Sequence, residues 1–413
     1  MRSRLSLLIL FVCSPITIFF GQWQPVGPPG GDFRVLARAP GSDNTVYLAS
    51  NNSPSCIWRT TDNGNSWGRV GSINAMIYSL AVDPTNASIL YAGGSSYIYR
   101  STNAGSTWTQ LSKPSSHYYF YGLTVHPTTP ATVLTGCYVS AGGYYRMGFM
   151  KSTNSGGNWT SETLSVDTSY AYALAVDPTD PDNIYVGGYK RIAGVYTPIV
   201  FKSTDGGSGF NPTGAMPSSG SYCYSLIVHQ TNSNYVYAGN ASGICRSTDG
   251  GASWTKVSTG SYNYSLTTTP ANPSLLYSGG VGYIYRSTDA GLSWTTMNSG
   301  LAGSIFYGVA ASRTAAASVC AANNIDFFRS ANTGANWEKA HNELNAAPVT
   351  AMANAPSLLS RIYVDNDGNS QYRSTDNGAT WTTMVKPLSC GSLCDFAIAH
   401  DNPNYVLEFE GSG

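Results

Sequence analysis

Charge is what this 413-residue chain most conspicuously lacks. Charged residues make up 11% of it, against about 25% in ordinary soluble domains. Only five Glu and seven Lys are present. That scarcity excludes a coiled coil or helical bundle, which needs periodic Ala/Glu/Lys/Leu segments. Basic excess is missing too: 22 Lys+Arg balance 22 Asp+Glu. A nucleic-acid binder would normally carry a positive surplus. Low charge combined with 42% hydrophobic residues also excludes a disordered chain. No nucleophile elbow, phosphate loop, metalloprotease helix or zinc spacing occurs, so neither a metal nor a cofactor is expected. The five histidines are scattered. What is abundant is glycine (44), proline (21) and tyrosine (29). These suit a large, turn-rich, all-β protein.

The first residues stand apart. Arg2 and Arg4 precede an apolar run from Leu5 to Cys13, which continues through Ile16 to Phe20. A basic start followed by a short apolar segment reads as an export signal, here residues 1–21 with cleavage near Gly21. Ser14-Pro15 interrupts the run, which argues against an uncleaved spanning helix. No later apolar run is long enough to cross a membrane as a helix. Export points to a secreted, cell-surface or periplasmic protein. Seven cysteines follow Cys13, so at least one has no partner within the chain. Cys390 and Cys394 could form a local disulfide, while most of the others read as buried small hydrophobes.

One motif recurs eight times over residues 22–413. It runs Arg59-Thr-Thr-Asp62-Asn-Gly64-Asn-Ser-Trp67 in the first copy and Arg246-Ser-Thr-Asp249-Gly-Gly251-Ala-Ser-Trp254 in the fifth. The shared glycines are spaced 41, 51, 51, 44, 40, 43 and 44 residues apart. Such a period signals a propeller or solenoid. Between copies lies a second pattern, as in Tyr78-Ser-Leu-Ala-Val-Asp83-Pro leading to Ile89-Leu-Tyr-Ala-Gly93. Each unit therefore holds four short strands, the composition of a propeller blade. The expected fold is a β-propeller of about eight four-stranded blades, with the motif turning between third and fourth strands. Phe396–Ala399 and Tyr405–Phe409 add strands toward an incomplete ninth blade. Either the N-terminal strand Trp23–Val26 completes that blade, or the chain continues in a longer protein.

The motif's fourth residue is Asp62, Asn103, Asn154, Asp205, Asp249, Asp289, Asn332 and Asp376 in turn. Asparagine accepts a turn hydrogen bond but is no general acid or base, so this position is structural. The motif's glycine supplies a positive φ.

These residues carry a resemblance. S/T-x-D-x-G-x-x-W is the Asp-box, or BNR, repeat. The chain resembles Asp-box propellers of the sortilin type, the photosystem II assembly-factor type, the xyloglucan-active glycoside hydrolases and the sialidases. Trp23-Gln-Pro-Val-Gly-Pro-Pro-Gly-Gly31 also resembles the start of exported sortilin-type repeat proteins. The resemblance implies the fold strongly and the function weakly, since the motif is a turn device shared by unrelated activities. It implies an interaction module holding a glycan or protein partner, or alternatively a glycoside hydrolase acting on extracellular polysaccharide.

A glycosidase needs paired carboxylates. Asp32 and Asp395 are the candidates, because each precedes an innermost strand and would sit on one propeller face, in neighbouring blades if the ring closes. Phe33-Arg34-Val35-Leu36 partly echoes the opening segment of sialidases but lacks its proline. Xyloglucanase-type enzymes place their site between two propellers, and eight units fill only one ring. Asp365-Asn-Asp367-Gly368-Asn369 resembles half a calcium loop but falls where a hairpin turn is expected. For binding, the candidates are Tyr78, Tyr121, Tyr172, Tyr224, Tyr264 and Tyr307, one per unit at the same place before the innermost strand's Leu or Val. They would either encircle the channel entrance or wedge between blades.

Overall fold

The computed structural model describes residues 33–339 apart from 40–43, 51–52, 65, 218–221, 259, 261, 303–304, 313 and 324–326. Beyond 339 it describes the backbone of six strands only. The described residues are all-β, without a helix. Eight four-stranded antiparallel sheets and one two-stranded sheet follow one another along the chain. In each four-stranded sheet the strands lie in sequence order, as short turns between alternating segments dictate.

Seven of these sheets close a ring. Their innermost strands are Phe33–Arg38, Ile77–Val82, His117–Val125, Thr168–Val176, Cys223–His229, Ser265–Thr269 and Phe306–Ala311, which we number blades 1 to 7. Each innermost strand packs beside the next, and that of blade 7 packs beside that of blade 1. The expected eight-bladed ring is therefore corrected to seven. The eighth sheet begins with Val349–Asn354, and this strand packs beside Cys394–Ile398 of the two-stranded sheet. The same repeat thus continues outside the ring, so the expectation that the units fill a single ring does not hold. The strands flanking Asp367–Asn369 do pair as a hairpin, Asp365 opposite Gln371, but 367–370 lie outside the described residues.

Blade 1 and blade 7 are each built from one continuous stretch, so no shared strand holds the ring shut. The seam is packed instead. Trp67 meets Phe327 edge-on at 4.8 Å. The Arg38 guanidinium reaches both the Cys320 Sγ (3.2 Å) and the Asn63 Oδ1 (3.3 Å). The hydrophobic core lies between sheets all round the ring, with Tyr47, Tyr91, Tyr185, Tyr237 and Tyr277 of the second strands fully buried.

The repeated turn explains its own residues. In blade 5 the Ser247 hydroxyl donates to Asp249 Oδ1 (2.8 Å) and accepts from the backbone N–H of Gly251 (2.8 Å). Asp249 Oδ1 in turn accepts from the N–H of Ser253 (2.8 Å). Asn154 Oδ1 does the same for the N–H of Asn158, as does Asn332 for Asn336. The amide oxygen is all the turn requires, which is why Asn substitutes freely. The turn is also a latch between blades. Tyr185 Oη and Lys202 Nζ of blade 4 both donate to the Gly250 carbonyl in the turn of blade 5. Lys151 bonds the Gly206 carbonyl of the next blade, Tyr237 that of Ala290, and Arg286 that of Thr333. The basic residue opening the motif is thus a tie to the neighbouring blade at Lys151, Lys202 and Arg286, whereas Arg329 pairs with Glu338 of its own blade.

Two substitutions separate these roles. Ser247→Ala leaves buried N–H groups without an acceptor and should cost ~1–3 kcal/mol. Asp249→Asn should leave stability at neutral pH close to wild type, judged by the Asn-bearing sister turns. Hydrogen bonds from Ser253 and Ser247 hold the Asp249 carboxyl at about 2, below its ordinary 3.8. A depressed folded-state value means that the carboxylate stabilises above pH ~4 and that this contribution fades as pH falls toward 2. Acid titration of both proteins, followed by near-ultraviolet circular dichroism, should show a smaller loss between those values for Asp249→Asn.

Candidate functional site

The six predicted tyrosines converge on one end of the central channel. Tyr78, Tyr121, Tyr172, Tyr224, Tyr264 and Tyr307 line its mouth, together with Leu36 and Val35 from blade 1. Successive rings touch round the mouth. The centroids are 4.4 Å apart for Tyr78 and Tyr121, 5.1 Å for Tyr121 and Tyr172, and 5.8 Å for Tyr172 and Tyr224. The arc ends with 5.0 Å for Tyr224 and Tyr264 and 5.1 Å for Tyr264 and Tyr307. Arg34 holds the corresponding register position in blade 1.

Backbone irregularity aims these rings. Each innermost strand alternates, so simple pairing would direct every second residue between blades. Instead the register slips at Ile77/Ser79, Ala171/Ala173, Cys223/Ser225 and Phe306/Gly308, leaving Tyr78, Tyr172, Tyr224 and Tyr307 as the extra, unpaired residue of a β-bulge. A bulge re-aims a side chain. The following serine ties one bulge to the next blade. Ser79 Oγ donates to the Phe120 carbonyl (2.6 Å), and Ser225 Oγ to that of Asn263 (3.1 Å), each just before the next tyrosine. The tyrosines are half-buried, facing the channel and each other. Burial, and then neighbouring phenols, push the hydroxyl pKa values of Tyr121 and Tyr224 well above the ordinary range. These hydroxyls therefore stay neutral hydrogen-bonding groups.

More tyrosines extend this surface than the per-unit pattern reveals. Tyr138, Tyr145, Tyr170, Tyr189, Tyr196 and Tyr222 form a second tier, with Tyr138 against Tyr170 (4.7 Å) and Tyr189 against Tyr222 (4.4 Å). The sequence signal was the Tyr clustering beside four of the mouth residues, as at Tyr170 and Tyr222. Tyr138, Tyr189 and Tyr196 come from second and third strands, so their arrival here needs the fold.

The other candidates lie elsewhere. Asp32 is outside the described residues, as are the export segment 1–21 and Asp376. The backbone of Asp395 belongs to the two-stranded sheet beside Val349–Asn354, whereas blade 1 lies between blades 7 and 2. Asp83 and Asp177 are turn residues, each accepting the N–H two positions on, from Thr85 and Thr179. His126 and His229 accept the corresponding N–H through Nδ1. Cys56, Cys137, Cys223, Cys245 and Cys320 are free thiols, four of them buried. Among the described residues no group of three or more metal-ligating side chains gathers, and no helix is long and apolar enough to cross a membrane.

Fold and repeated turn define the class: this is a BNR, or Asp-box, β-propeller. The family described as photosynthesis system II assembly factor YCF48 matches residues 150–413, and the chain belongs to it. The family described as sortilin, neurotensin receptor 3, matches residues 55–193. A xyloglucanase of Hypocrea jecorina (strain QM6a) is 27% identical over 173 residues, 38% of this chain and 20% of the relative; the match thus spans a fifth of that protein's length. Among solved structures, the GH74 enzyme of Niastella koreensis aligns with TM-score 0.62 and 19% identity, covering 94% of this chain and 70% of that one. YCF48 bound to D1 peptide aligns with TM-score 0.53 and 13% identity, covering 74% of this chain and 95% of that one. At these identities the structural likenesses establish the fold.

Proposed function

We propose that the chain is an exported binding or interaction module that holds a glycan or protein partner at the tyrosine-lined mouth of its channel. The observation that carries this is the bulged arc of six mutually touching tyrosines. A bulge interrupts strand pairing at Tyr78, Tyr172, Tyr224 and Tyr307, and its recurrence round the ring helps to build one shared surface. Rigid aromatics that carry hydroxyls offer large contact area at small entropic cost. The YCF48 relative seen with a peptide supports a protein partner, and the xyloglucanase relatives support a glycan. Glycan-array and peptide-pool screens should yield a ligand whose affinity drops about 10- to 100-fold in Tyr121→Ala and Tyr224→Ala. Unchanged affinity in both correctly folded variants would remove this surface from the function.

The second reading is a glycoside hydrolase acting on extracellular polysaccharide, favoured by the xyloglucanase match. Its candidate carboxylates remain Asp32 and Asp395. Reducing-sugar release from polysaccharides, lost in Asp32→Asn or Asp395→Asn, would establish it in place of the binding module.

A further inference from the structure

Building on the reading of the tyrosine face as a ligand site, we propose that its raised part, on blades 3 to 5, binds an acidic polysaccharide, with Lys190 and Arg191 taking the uronate carboxylates.

The face is lopsided. The second and third strands of blade 3 (Val133–Ala141 and Tyr144–Ser152) and blade 4 (Ile184–Ile192 and Val195–Ser203) are nine residues long and pair to their tips. Their counterparts in blade 2, Leu90–Gly94 and Ile98–Ser101, have five and four. Four or five extra residues per strand extend these two hairpins by about 13–16 Å at the end that carries the channel mouth. The second tier of tyrosines lies on and between them. Tyr145 meets Tyr138 at 6.0 Å, Tyr170 meets Tyr189 at 4.9 Å, and Tyr189 meets Tyr196 at 5.2 Å. Tyr172 joins this wall to the mouth, 5.9 Å from Tyr189. Tyr138 and Tyr189 are buried in this wall, and its accessible rings are Tyr145, Tyr170, Tyr196 and Tyr222, each carrying a hydroxyl. That suits a chain of stacked, hydroxyl-rich rings.

Charge selects among such chains. The described residues in the hairpins and connections at this end include Lys113, Arg146, Lys190 and Arg191, against one carboxylate, Asp167. This positive bias stands out in a protein whose total is neutral. Arg191 is exposed and its guanidinium stacks 5.4 Å from the Tyr196 ring. Stacking fixes the plane while leaving the donor fork open to a carboxylate. Lys113 lies 4.9 Å from the Tyr118 ring, across the same face. Among the described residues neither Lys190 nor Arg191 has an acidic partner.

An acidic peptide would share the charge preference, but it would need an open sheet edge to join or recesses for its side chains. The free outer edges here belong to outermost strands as short as Thr109–Gln110 and Asn211–Pro212, at the rim of the ring. At the wall the rings pack at 4 to 6 Å, and the contact surface is the accessible faces and hydroxyls of Tyr145, Tyr170, Tyr196 and Tyr222.

Affinity electrophoresis and calorimetry on the whole chain, with polygalacturonate, neutral xyloglucan and poly-glutamate as probes, test this. Polygalacturonate should bind at least about tenfold more tightly than either other probe, and the binding should weaken about tenfold as salt rises from ~0.05 to ~0.5 M. The double substitution Lys190→Gln and Arg191→Gln, at exposed or half-exposed positions, should weaken it at least about tenfold without altering the melting curve. Xyloglucan binding as tightly, and untouched by that pair while lost in Tyr121→Ala, would overturn the acidic assignment and leave the binding-module reading standing. Poly-glutamate binding as tightly would overturn the glycan assignment. Absence of polygalacturonate binding would overturn the proposal outright.

Discussion

Tyr185→Ala should be among the most damaging single substitutions in the ring, costing ~3–5 kcal/mol of stability. The side chain is fully buried in the second strand of blade 4. Its ring fills the core shared with blade 5, and its hydroxyl donates to the Gly250 carbonyl of the neighbouring turn at 3.1 Å. Alanine removes that volume and leaves the Gly250 carbonyl with Lys202 as its remaining tie. Tyr185→Phe keeps the volume and loses only the hydroxyl bond, so it should cost ~1 kcal/mol. At about 1–1.6 °C per kcal/mol for a chain of this size, the alanine variant should melt at least ~3 °C lower than wild type in scanning calorimetry, with the phenylalanine variant within ~2 °C of wild type. Equal melting of the two would mean that the contact between blades 4 and 5 does not depend on the ring.

Gly188→Ala is the second large effect, and it joins stability to the binding face. A Cβ at residue 188 would overlap the carbonyl oxygen of Tyr170 and lie 2.8 Å from the Met147 methyl. The carbonyl is backbone and cannot swing aside. Relief requires the innermost strand of blade 4 to shift, carrying Tyr170 and Tyr172 with it. We expect a loss of ~3 kcal/mol or more, at or beyond the usual range for overpacking. Gly136→Ala in blade 3 is the matched control, since its nearest neighbour would be the Ala171 Cβ at an ordinary 3.4 Å, and it should cost under ~1 kcal/mol. The measurements are denaturant unfolding for stability and Tyr near-ultraviolet circular dichroism for the wall. A Gly188→Ala protein with wild-type stability and dichroism would contradict the packing described.

The candidate site was legible to different depths. The six mouth tyrosines follow from one-per-unit spacing, because a closed ring brings equivalent positions to one circle. That they point into the channel rather than between blades was not legible. Strand alternation argues the other way, and the bulges that reverse it have no signature in these sequences beyond the tyrosines themselves. The turn aspartates were read as structural from the Asn replacements, and the hydrogen bonds at Asn154 and Asn332 supply the mechanism. The basic residue opening each motif was visible as a constant but without a role. At Lys151, Lys202 and Arg286 its partner is a carbonyl 55, 48 and 47 residues away in the next blade, and only the packed ring brings the two together.

The amino-acid sequence by itself determined the blade: alternating strands, a glycine-bearing turn whose hydroxyl and carboxamide or carboxylate oxygens close it locally, and the repetition that forces blade onto blade. These follow from contacts within some 50 residues. Tertiary structure alone decided where the circle shuts. Every unit presents nearly the same flank to its neighbour, so eight units could be counted but not divided between ring and remainder. Blade 7 meets blade 1 because Trp67 packs on Phe327 and Arg38 reaches across to Cys320, contacts between residues up to 282 positions apart. The cumulative angle between blades closes after seven, and the eighth unit is left to the sheets that follow.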